Sequence, residues 1–332
     1  MLKPLLFAAG LCLATVATAQ EKPVLTVYTY GSFVSDWGPG PKVEEAFEAE
    51  CNCDLQLIDA GDGAALLSRV QLEGTRSKAD IVLGLDTNLT ARARETGLFA
   101  PLALTARQLD VPVEWVDDTY LPYDWGYFAF VYDKTKLTNV PDSFRSLIDM
   151  PKDFKIVIQD PRSSTPGLGL LLWVKAAYGD KAADIWAGLQ PHILTVTKGW
   201  SEAYGMFLKG EADMVLSYTT SPAYHLIAEG DNTKAAASFS EGHYLQIEVA
   251  GKLAATDQPE LADRFLEFMI GPKFQSIIPT TNWMYPAVFS LEGLPKGFET
   301  LITPVESLIV PAEDAKRIKD EALQEWLTTL SR

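Results

Sequence analysis

Cysteine and histidine are scarce in this chain, which has three of each in 332 residues. One residue separates Cys51 from Cys53, whereas His192, His225 and His243 are far from them in the sequence. Zinc sites need several such side chains at short, regular spacings, and this pattern is missing. We therefore predict no metal site and no cofactor. In an oxidising compartment the two cysteines favour a structural disulfide, with a redox-active pair as the alternative.

Basic residues are also few, with 28 lysines and arginines against 44 acidic residues and a formal net charge of −16. Nucleic acids and anionic membranes attract basic surfaces, so this balance argues against both as partners. The excess of acid favours solubility and, more weakly, a cationic ligand. A protein that is acidic only for solubility would have the same charge.

Long apolar runs are absent after the N-terminus. The single run there, Leu5–Val16, follows the positive charge of Lys3 and precedes the small-x-small motif Ala17–Ala19. Its length is too short for a membrane span, and its flanks are those of a secretory signal peptide. We predict cleavage after Ala19, export, and no membrane insertion of the mature chain.

Familiar catalytic motifs are missing as well. The chain has neither a Gly-x-Ser-x-Gly elbow nor a glycine-rich phosphate loop. Ser221 and His225 are close in sequence, but no acid that could orient the histidine is evident. We therefore predict no catalytic residue and no enzyme activity.

Strands and helices alternate in the first third of the chain. Alternating apolar and polar side chains indicate strands at Pro23–Tyr30, Asp54–Asp59 and Ala79–Leu85. Residues at helical spacing follow each strand. This order is typical of an α/β fold in which helices flank a mainly parallel sheet.

Two extended stretches, Pro122–Lys136 and Tyr244–Ala250, interrupt this alternation. We interpret them as crossings between two lobes with a ligand cleft between them, which suits capture of a small molecule by hinge closure. The C-terminal helix at Ala312–Leu330 has one apolar stripe and is expected to pack on a lobe. The predicted divisions are 1–19 signal peptide, 20–121 lobe 1 (first part), 122–250 crossing and lobe 2, and 251–332 lobe 1 (second part).

One stretch, residues 211–224, carries the strongest functional signal. The apolar run Met214–Leu216 indicates a buried strand, and a polar turn follows it. Ser221 and Pro222 then have the order of a helix cap and a first turn. Ligands of open α/β sheets bind beyond the carboxyl ends of strands, so Tyr218 and Tyr224 are candidate contacts. An ordinary turn with two packing tyrosines is the alternative.

A second helix start lies within residues 160–169. Ser164, Thr165, Pro166 and Gly167 combine hydroxyls, a first-turn proline and small residues, which leaves backbone N–H groups open. Such a helix N-terminus binds phosphate or carboxylate readily. A helix start that is merely well capped would contain the same residue types.

Three tryptophans lie in turns next to glycine, threonine or asparagine rather than in apolar periods. Together with three tyrosines they predict an aromatic box for a flat ligand that is partly cationic. Asp62, in a turn after the second strand, could supply a counter-charge. The predicted rings are Tyr30, Trp37, Trp200, Tyr218, Tyr224 and Trp283.

From residue 22 almost to its end, the chain resembles the periplasmic thiamine-binding proteins of bacterial ABC importers. The segments that carry the resemblance include SDWGPGP, CNC, ADIVLGLD, DWGYFAFVYDK, QDPRSSTPGLGLLLW, VTKGWSEAYG, LSYTTSPAYH and NWMYP. The resemblance implies a type II periplasmic-binding fold and capture of thiamine or its phosphate esters. It also implies a periplasmic location and delivery to a membrane permease with an ATPase subunit. The ligand contacts that it implies are Tyr30, Trp37, Asp62, Gly63, Ser164, Trp200, Tyr218, Tyr224 and Trp283.

Three other functions stay open at this point. A thiaminase I-like enzyme of the same fold would need an activated cysteine, and Cys51 and Cys53 do not have that setting. A ferric-ion binder would use tyrosinates, for which Tyr218 and Tyr224 are the candidates. A polyamine binder would use the same aromatic rings and acids.

Overall fold

The protein is described by a computed structural model over residues 22–103, 109–288 and 293–330, so the predicted signal peptide lies outside the described residues. Within these ranges the strands match most of the predicted ones to within two residues. Their bounds are β1 Val24–Thr29, β2 Asp54–Asp59, β3 Ile81–Asp86, β4 Leu121–Asp133, β5 Ile156–Gln159, β6 Ile193–Thr197, β7 Met214–Tyr218, β8 Lys234–Ala236, β9 His243–Lys252, β10 Tyr285–Pro286 and β11 Ser307–Leu308.

The helices mostly follow the strands, as the alternation of sequence patterns predicts. None of the described helices combines the length and apolar character needed to cross a membrane. Their bounds are α1 Gly31–Val34, α2 Gly40–Cys51, α3 Gly63–Glu73, α4 Thr87–Glu95, α5 Phe144–Ile148, α6 Thr165–Tyr178, α7 Ala182–Leu189, α8 Trp200–Leu208, α9 Ser221–Tyr224, α10 Pro259–Met269, α11 Pro272–Thr281 and α12 Ala312–Leu330.

The sheet consists of two parallel halves joined by an antiparallel pair. Its strand order is β2-β1-β3-β9-β4-β7-β5-β6. Strands β2, β1 and β3 are parallel in one half, and β7, β5 and β6 are parallel in the other. Between them lie β4 and β9, the two predicted crossings, which are hydrogen-bonded to each other. This topology gives the two-lobed α/β fold, because each half packs its own helices against its own parallel strands.

A disulfide joins Cys51 and Cys53, as predicted for an oxidising compartment. Helix α2 ends at Cys51, and Asn52 turns the chain with a φ of 52°. Asparagine tolerates this left-handed conformation better than most residues. Strand β2 can therefore begin at Asp54, directly after the turn.

The stretch 279–286 is predicted from the sequence as a turn after the preceding helix, and the structure corrects where that turn begins. Pro279 lies inside helix α11, and the turn begins only after Thr281. Proline disfavours a helix interior because it lacks an N–H and crowds the preceding turn. Here Phe274 and Ile278 are fully buried on the same helix, and their packing outweighs that penalty.

The C-terminal helix α12 lies against helices from both halves, a wider contact than the packing on one lobe that its stripe predicts. It packs against α4 on one side and against α6 and α7 on the other. Lys316 forms an ion pair with Glu95 of α4. Lys175 of α6 forms another with Glu325, with 2.7 Å between the Nζ and Oε1 atoms.

Candidate ligand-binding site

A cavity of about 300 Å³ lies beyond the carboxyl ends of several parallel strands. This volume is at the lower end of the range for small-molecule sites. Eight of the eleven residues predicted as ligand contacts line it, although their contact with a ligand stays a prediction. They are Tyr30, Trp37, Asp62, Thr165, Trp200, Tyr218, Tyr224 and Trp283.

The charged groups of the cavity have one sign. Asp62 and Glu248 line it, whereas no lysine, arginine or histidine is found among the described lining residues. Such a lining favours a cation over an anion. The lining residues that were not predicted as contacts are Ser32, Pro166, Ser201, Tyr204, Gly205, Leu208, Ser221, Glu248, Thr281, Asn282 and Met284.

One wall of the cavity is a stack of rings that begins at Trp200. Its ring stacks on Tyr204, with 4.9 Å between centroids, and Trp37 lies 6.1 Å away on the outer side. The Trp200 Nε1–H donates to Ser217 Oγ at 2.8 Å, which fixes the orientation of the indole. Trp37 is 53% exposed, so it lies at the mouth rather than inside.

A second part of the cavity lining contains Trp283, whose backbone is unusual. Its φ is 57°, in the left-handed region that bulky residues rarely adopt. The Trp283 N–H donates to the Ile278 carbonyl at 3.0 Å, and its ring meets Tyr224 edge to face, 5.4 Å between centroids. Left-handed backbone costs a non-glycine residue about 1–2 kcal/mol. Strain of this kind concentrates at functional sites, where the surrounding structure holds it.

Asp62 connects the two halves of the protein. Although it precedes helix α3, its side chain does not cap that helix. Its Oδ2 instead accepts hydrogen bonds from Ser164 Oγ at 3.1 Å and from the Trp200 N–H at 3.3 Å. Burial raises the pKa of Asp62 above its ordinary value, and these two hydrogen bonds oppose the shift. The carboxylate thus lies at the start of α8, where a helix N-terminus favours negative charge.

Three predicted contacts, Gly63, Ser164 and Gly167, are not among the residues that line the cavity. A Cβ on Gly63 would lie 2.3 Å from Thr165 Oγ1, so glycine lets the starts of α3 and α6 approach closely. A Cβ on Gly167 would lie 2.6 Å from the backbone of Asp160, so this glycine serves packing of the preceding loop.

The two predicted serine caps also differ from expectation. Ser164 precedes α6 but makes no side-chain cap, because its hydroxyl donates to Asp62. Ser221 is the first residue of α9 rather than its cap. Its Oγ accepts from the Tyr218 N–H at 3.2 Å and lies 2.7 Å from Ser217 Oγ. The Ser221 side chain therefore belongs to the cavity lining, whereas the Ser164 hydroxyl supports it from behind through Asp62.

The inner end of the cavity is polar. Two residues there, Glu248 and Asn282, were not predicted from the sequence. Tyr30 donates its hydroxyl hydrogen to Glu248 Oε2 at 2.9 Å, and Asn282 Nδ2 lies 3.0 Å from the Tyr30 hydroxyl oxygen. The signal for Glu248 was present: Gln246 and Glu248 are polar residues two apart in the otherwise apolar strand β9. Side chains two apart in a strand share a face, so the pair marks a polar patch on a buried strand.

A cavity between two α/β halves that share two crossing strands is typical of a solute-binding protein. The chain belongs to the bacterial extracellular solute-binding proteins, because the model of that family matches residues 40–276.

Similar proteins give a closer placement. The chain is 55% identical over its full length to the full-length thiamine-binding periplasmic protein of Escherichia coli (strain K12). A solved structure of a periplasmic thiamin binding protein superposes with a TM-score of 0.91 at 55% identity, covering 94% of this chain and 97% of the other. A ferric binding protein from Campylobacter jejuni superposes with a TM-score of 0.74, covering 92% of this chain and 99% of the other, but at 18% identity it shares only the fold.

Proposed function

We propose that this protein captures thiamine, and its phosphate esters, in the periplasm and delivers them to a membrane permease with its ATPase subunit. The observation that carries the proposal is a cavity with aromatic side walls and an acidic lining without bases. Thiamine combines a flat aminopyrimidine with a permanently cationic thiazolium, and aromatic faces attract both kinds of ring. Full-length similarity to a thiamine-binding periplasmic protein supports the same ligand.

The phosphate esters are proposed from the start of helix α6. Thr165 and Pro166, its first two residues, line the cavity. Backbone N–H groups at a helix start and the helix dipole favour an anionic oxygen there. A phosphate tail on the ligand would then point towards α6 while the rings stay between the aromatic walls.

Titration of intrinsic tryptophan fluorescence tests the proposal directly. Purified mature protein should show saturable quenching by thiamine, thiamine monophosphate and thiamine diphosphate, with one ligand per chain. Spermidine serves as a matched cationic control that has no flat ring, and it should bind much more weakly. A protein that ignores all three vitamers, or prefers spermidine, would contradict the proposed function.

No bond of the ligand is broken in this account. A thiaminase-like reaction requires a cysteine thiolate as nucleophile. Both cysteines in the described part of the chain are joined in a disulfide, and neither lines the cavity. Incubation with thiamine and an amine acceptor should leave thiamine intact, and catalytic turnover would favour the enzyme instead.

Ferric-ion capture through tyrosinates is less well supported. Burial and the charge of nearby Glu248 raise the pKa of Tyr218 well above its usual range, which disfavours a tyrosinate. The Tyr224 hydroxyl donates to Glu229 Oε1 at 3.0 Å, so it is already engaged. Added ferric salt should produce no tyrosinate-to-iron absorption band.

A further inference from the structure

Two buried carboxyl groups lie next to each other at the inner end of the cavity. Asp124 and Glu248 are paired residues on the crossing strands β4 and β9. Asp124 is fully buried, and Glu248 is 6% exposed and lines the cavity. Buried carboxylates normally have a cationic partner, because removing a charge from water is costly. No base lines this cavity in the described part of the chain, so these two acids need another explanation.

Hydrogen bonds favour the charged form of Glu248. Its Oε2 accepts from the Tyr123 hydroxyl at 2.7 Å and from the Tyr30 hydroxyl at 2.9 Å. Its Oε1 accepts from Gln246 Nε2 at 2.8 Å. Three donors directed at one carboxylate stabilise its negative charge. Burial nevertheless raises the pKa of Glu248 above its ordinary value, because these donors only partly replace water.

The surroundings of Asp124 favour its neutral form instead. Its Oδ2 accepts from Asn282 Nδ2 at 2.6 Å, and its Oδ1 accepts no hydrogen bond from the described residues. Burial and the charge of Glu248 raise the pKa of Asp124 well above its usual range. Because the two residues are opposite each other on paired strands, two charged carboxylates in this buried site would repel each other, which favours a proton on one of them. We assign that proton to Asp124, because it accepts fewer hydrogen bonds than Glu248.

We propose that Glu248 is the negative charge that faces the cationic ring of the bound ligand, and that protonated Asp124 is a positioning residue that holds Glu248 in place. This inference rests on the proposed capture of thiamine. It also separates the roles of the two acids in the cavity lining. Asp62 joins the two halves by accepting hydrogen bonds from Ser164 and Trp200. Glu248 has no cationic partner among its contacts with the described residues, so its charge is left for the ligand.

The decisive experiment measures two ligands by calorimetry: thiamine and an uncharged analogue with a neutral aromatic ring in place of the thiazolium. Glu248→Gln should lower the affinity for thiamine roughly tenfold or more while changing that for the neutral analogue by at most about threefold. Asp124→Asn should cost thiamine less than Glu248→Gln does, because an amide replaces a neutral acid. Equal losses for both ligands, or an unchanged affinity for thiamine, would overturn the inference.

Asp86→Asn is the matched control. Asp86 is fully buried at the end of β3 and does not line the cavity, and burial raises its pKa to about 7. Asp86 is opposite Glu248 in the pairing of β3 with β9, so Asp86→Asn tests the same change from acid to amide at a neighbouring buried group outside the cavity lining, and both affinities should stay as in the wild type. If wild-type protein does not bind thiamine at all, the proposed function fails first. If it binds and Glu248→Gln binds equally well, only the present inference fails.

A second measurement applies if circular dichroism shows that Glu248→Gln does not fold. The protein then carries Asp62→Asn together with Asp86→Asn, so that Glu248 is the remaining acid of the described cavity lining and Asp86, which pairs with it on β3, cannot titrate in the same pH range. The other titratable neighbours of Glu248 are Tyr30, Tyr123, Tyr218 and Asp124. Protonation of Glu248 removes the counter-charge, so the preference for thiamine over the neutral analogue should decrease as the pH is lowered from about 8 to about 5, a range that a raised carboxyl pKa reaches. A preference that stays constant over this range would contradict the assignment.

Discussion

Two pairs of tryptophans in this protein have different surroundings. Trp173 and Trp186 are almost fully buried in the core, whereas Trp200 and Trp283 are partly exposed and line the cavity. Trp173 lies in the apolar run 168–174 of α6, and its ring lies 4.9 Å from Phe144. Its ring neighbours are mainly phenylalanines, together with His243. The cavity tryptophans instead have serine, tyrosine and carboxylate neighbours.

The contrast shows that local sequence separates a packing ring from a binding ring. An apolar period places a tryptophan inside, because each turn of the helix buries the same face. A tryptophan beside glycine or asparagine in a turn has no such face to join. We expect core rings to contribute to stability and cavity rings to affinity, and this division can be tested one residue at a time.

The largest effect is expected in the core. Trp173→Ala should lower the free energy of unfolding by about 3–5 kcal/mol, because it leaves a cavity among aromatic rings and removes the hydrogen bond to the Gly242 carbonyl. Urea unfolding followed by circular dichroism measures the change. Protein that still folds should bind thiamine as the wild type does, and a loss below about 1 kcal/mol would mean that the core repacks.

The next largest effect concerns Trp283. Trp283→Ala should weaken thiamine binding by about 1–3 kcal/mol, the scale of stacking a base on an aromatic ring. Trp283→Gly should lose the same affinity but be about 1 kcal/mol more stable than the alanine variant, because glycine adopts the left-handed backbone without strain. Calorimetry and thermal unfolding of the two variants separate the ring from the backbone. Unequal affinities would show that the backbone also contributes to binding.

A smaller effect is expected at Ser164. Ser164→Ala should weaken binding of the phosphate esters by about 0.5–1.5 kcal/mol, the net worth of a hydrogen bond, and of free thiamine by less. The reason is that Ser164 Oγ–H donates to Asp62 and so screens that carboxylate, whose charge would repel a phosphate at the start of α6 more strongly without this donor. Ser163→Ala is the matched control, because that hydroxyl donates to the Lys198 carbonyl and is exposed. Equal losses for all three vitamers would remove the phosphate role.

The smallest effect is expected at Trp37. Its ring is 53% exposed and contacts the stack only at its outer side. Trp37→Ala should change the free energy of unfolding by less than about 0.5 kcal/mol, as surface substitutions usually do. Its loss of affinity for thiamine should be smaller than that of Trp283→Ala. If Trp37→Ala weakened thiamine binding as much as Trp283→Ala does, Trp37 would be a direct ligand contact of similar importance.

Much of the architecture could be predicted from local patterns, since strand alternation and helix spacing depend on near neighbours. The crossings β4 and β9 and the aromatic lining were found in this way. The hydrogen bond between Asp62 and Ser164 could not be predicted from local patterns, because the two residues are 102 positions apart in the sequence. Glu248 was missed for a related reason: although Gln246 and Glu248 form a polar pair in β9, the other partners of Glu248 come from β4 and the end of β1, and the local pattern gives no sign of them.

The most direct test of the account uses tryptophan as its own reporter. We expect thiamine to quench the fluorescence of wild-type protein and of Trp173→Phe, because the core indole does not contact the ligand. In a double variant, Trp200→Phe with Trp283→Phe, most of the quenching should disappear while calorimetry still detects binding to the remaining rings. Quenching that persists in the double variant and is lost in Trp173→Phe would contradict the division between core and cavity.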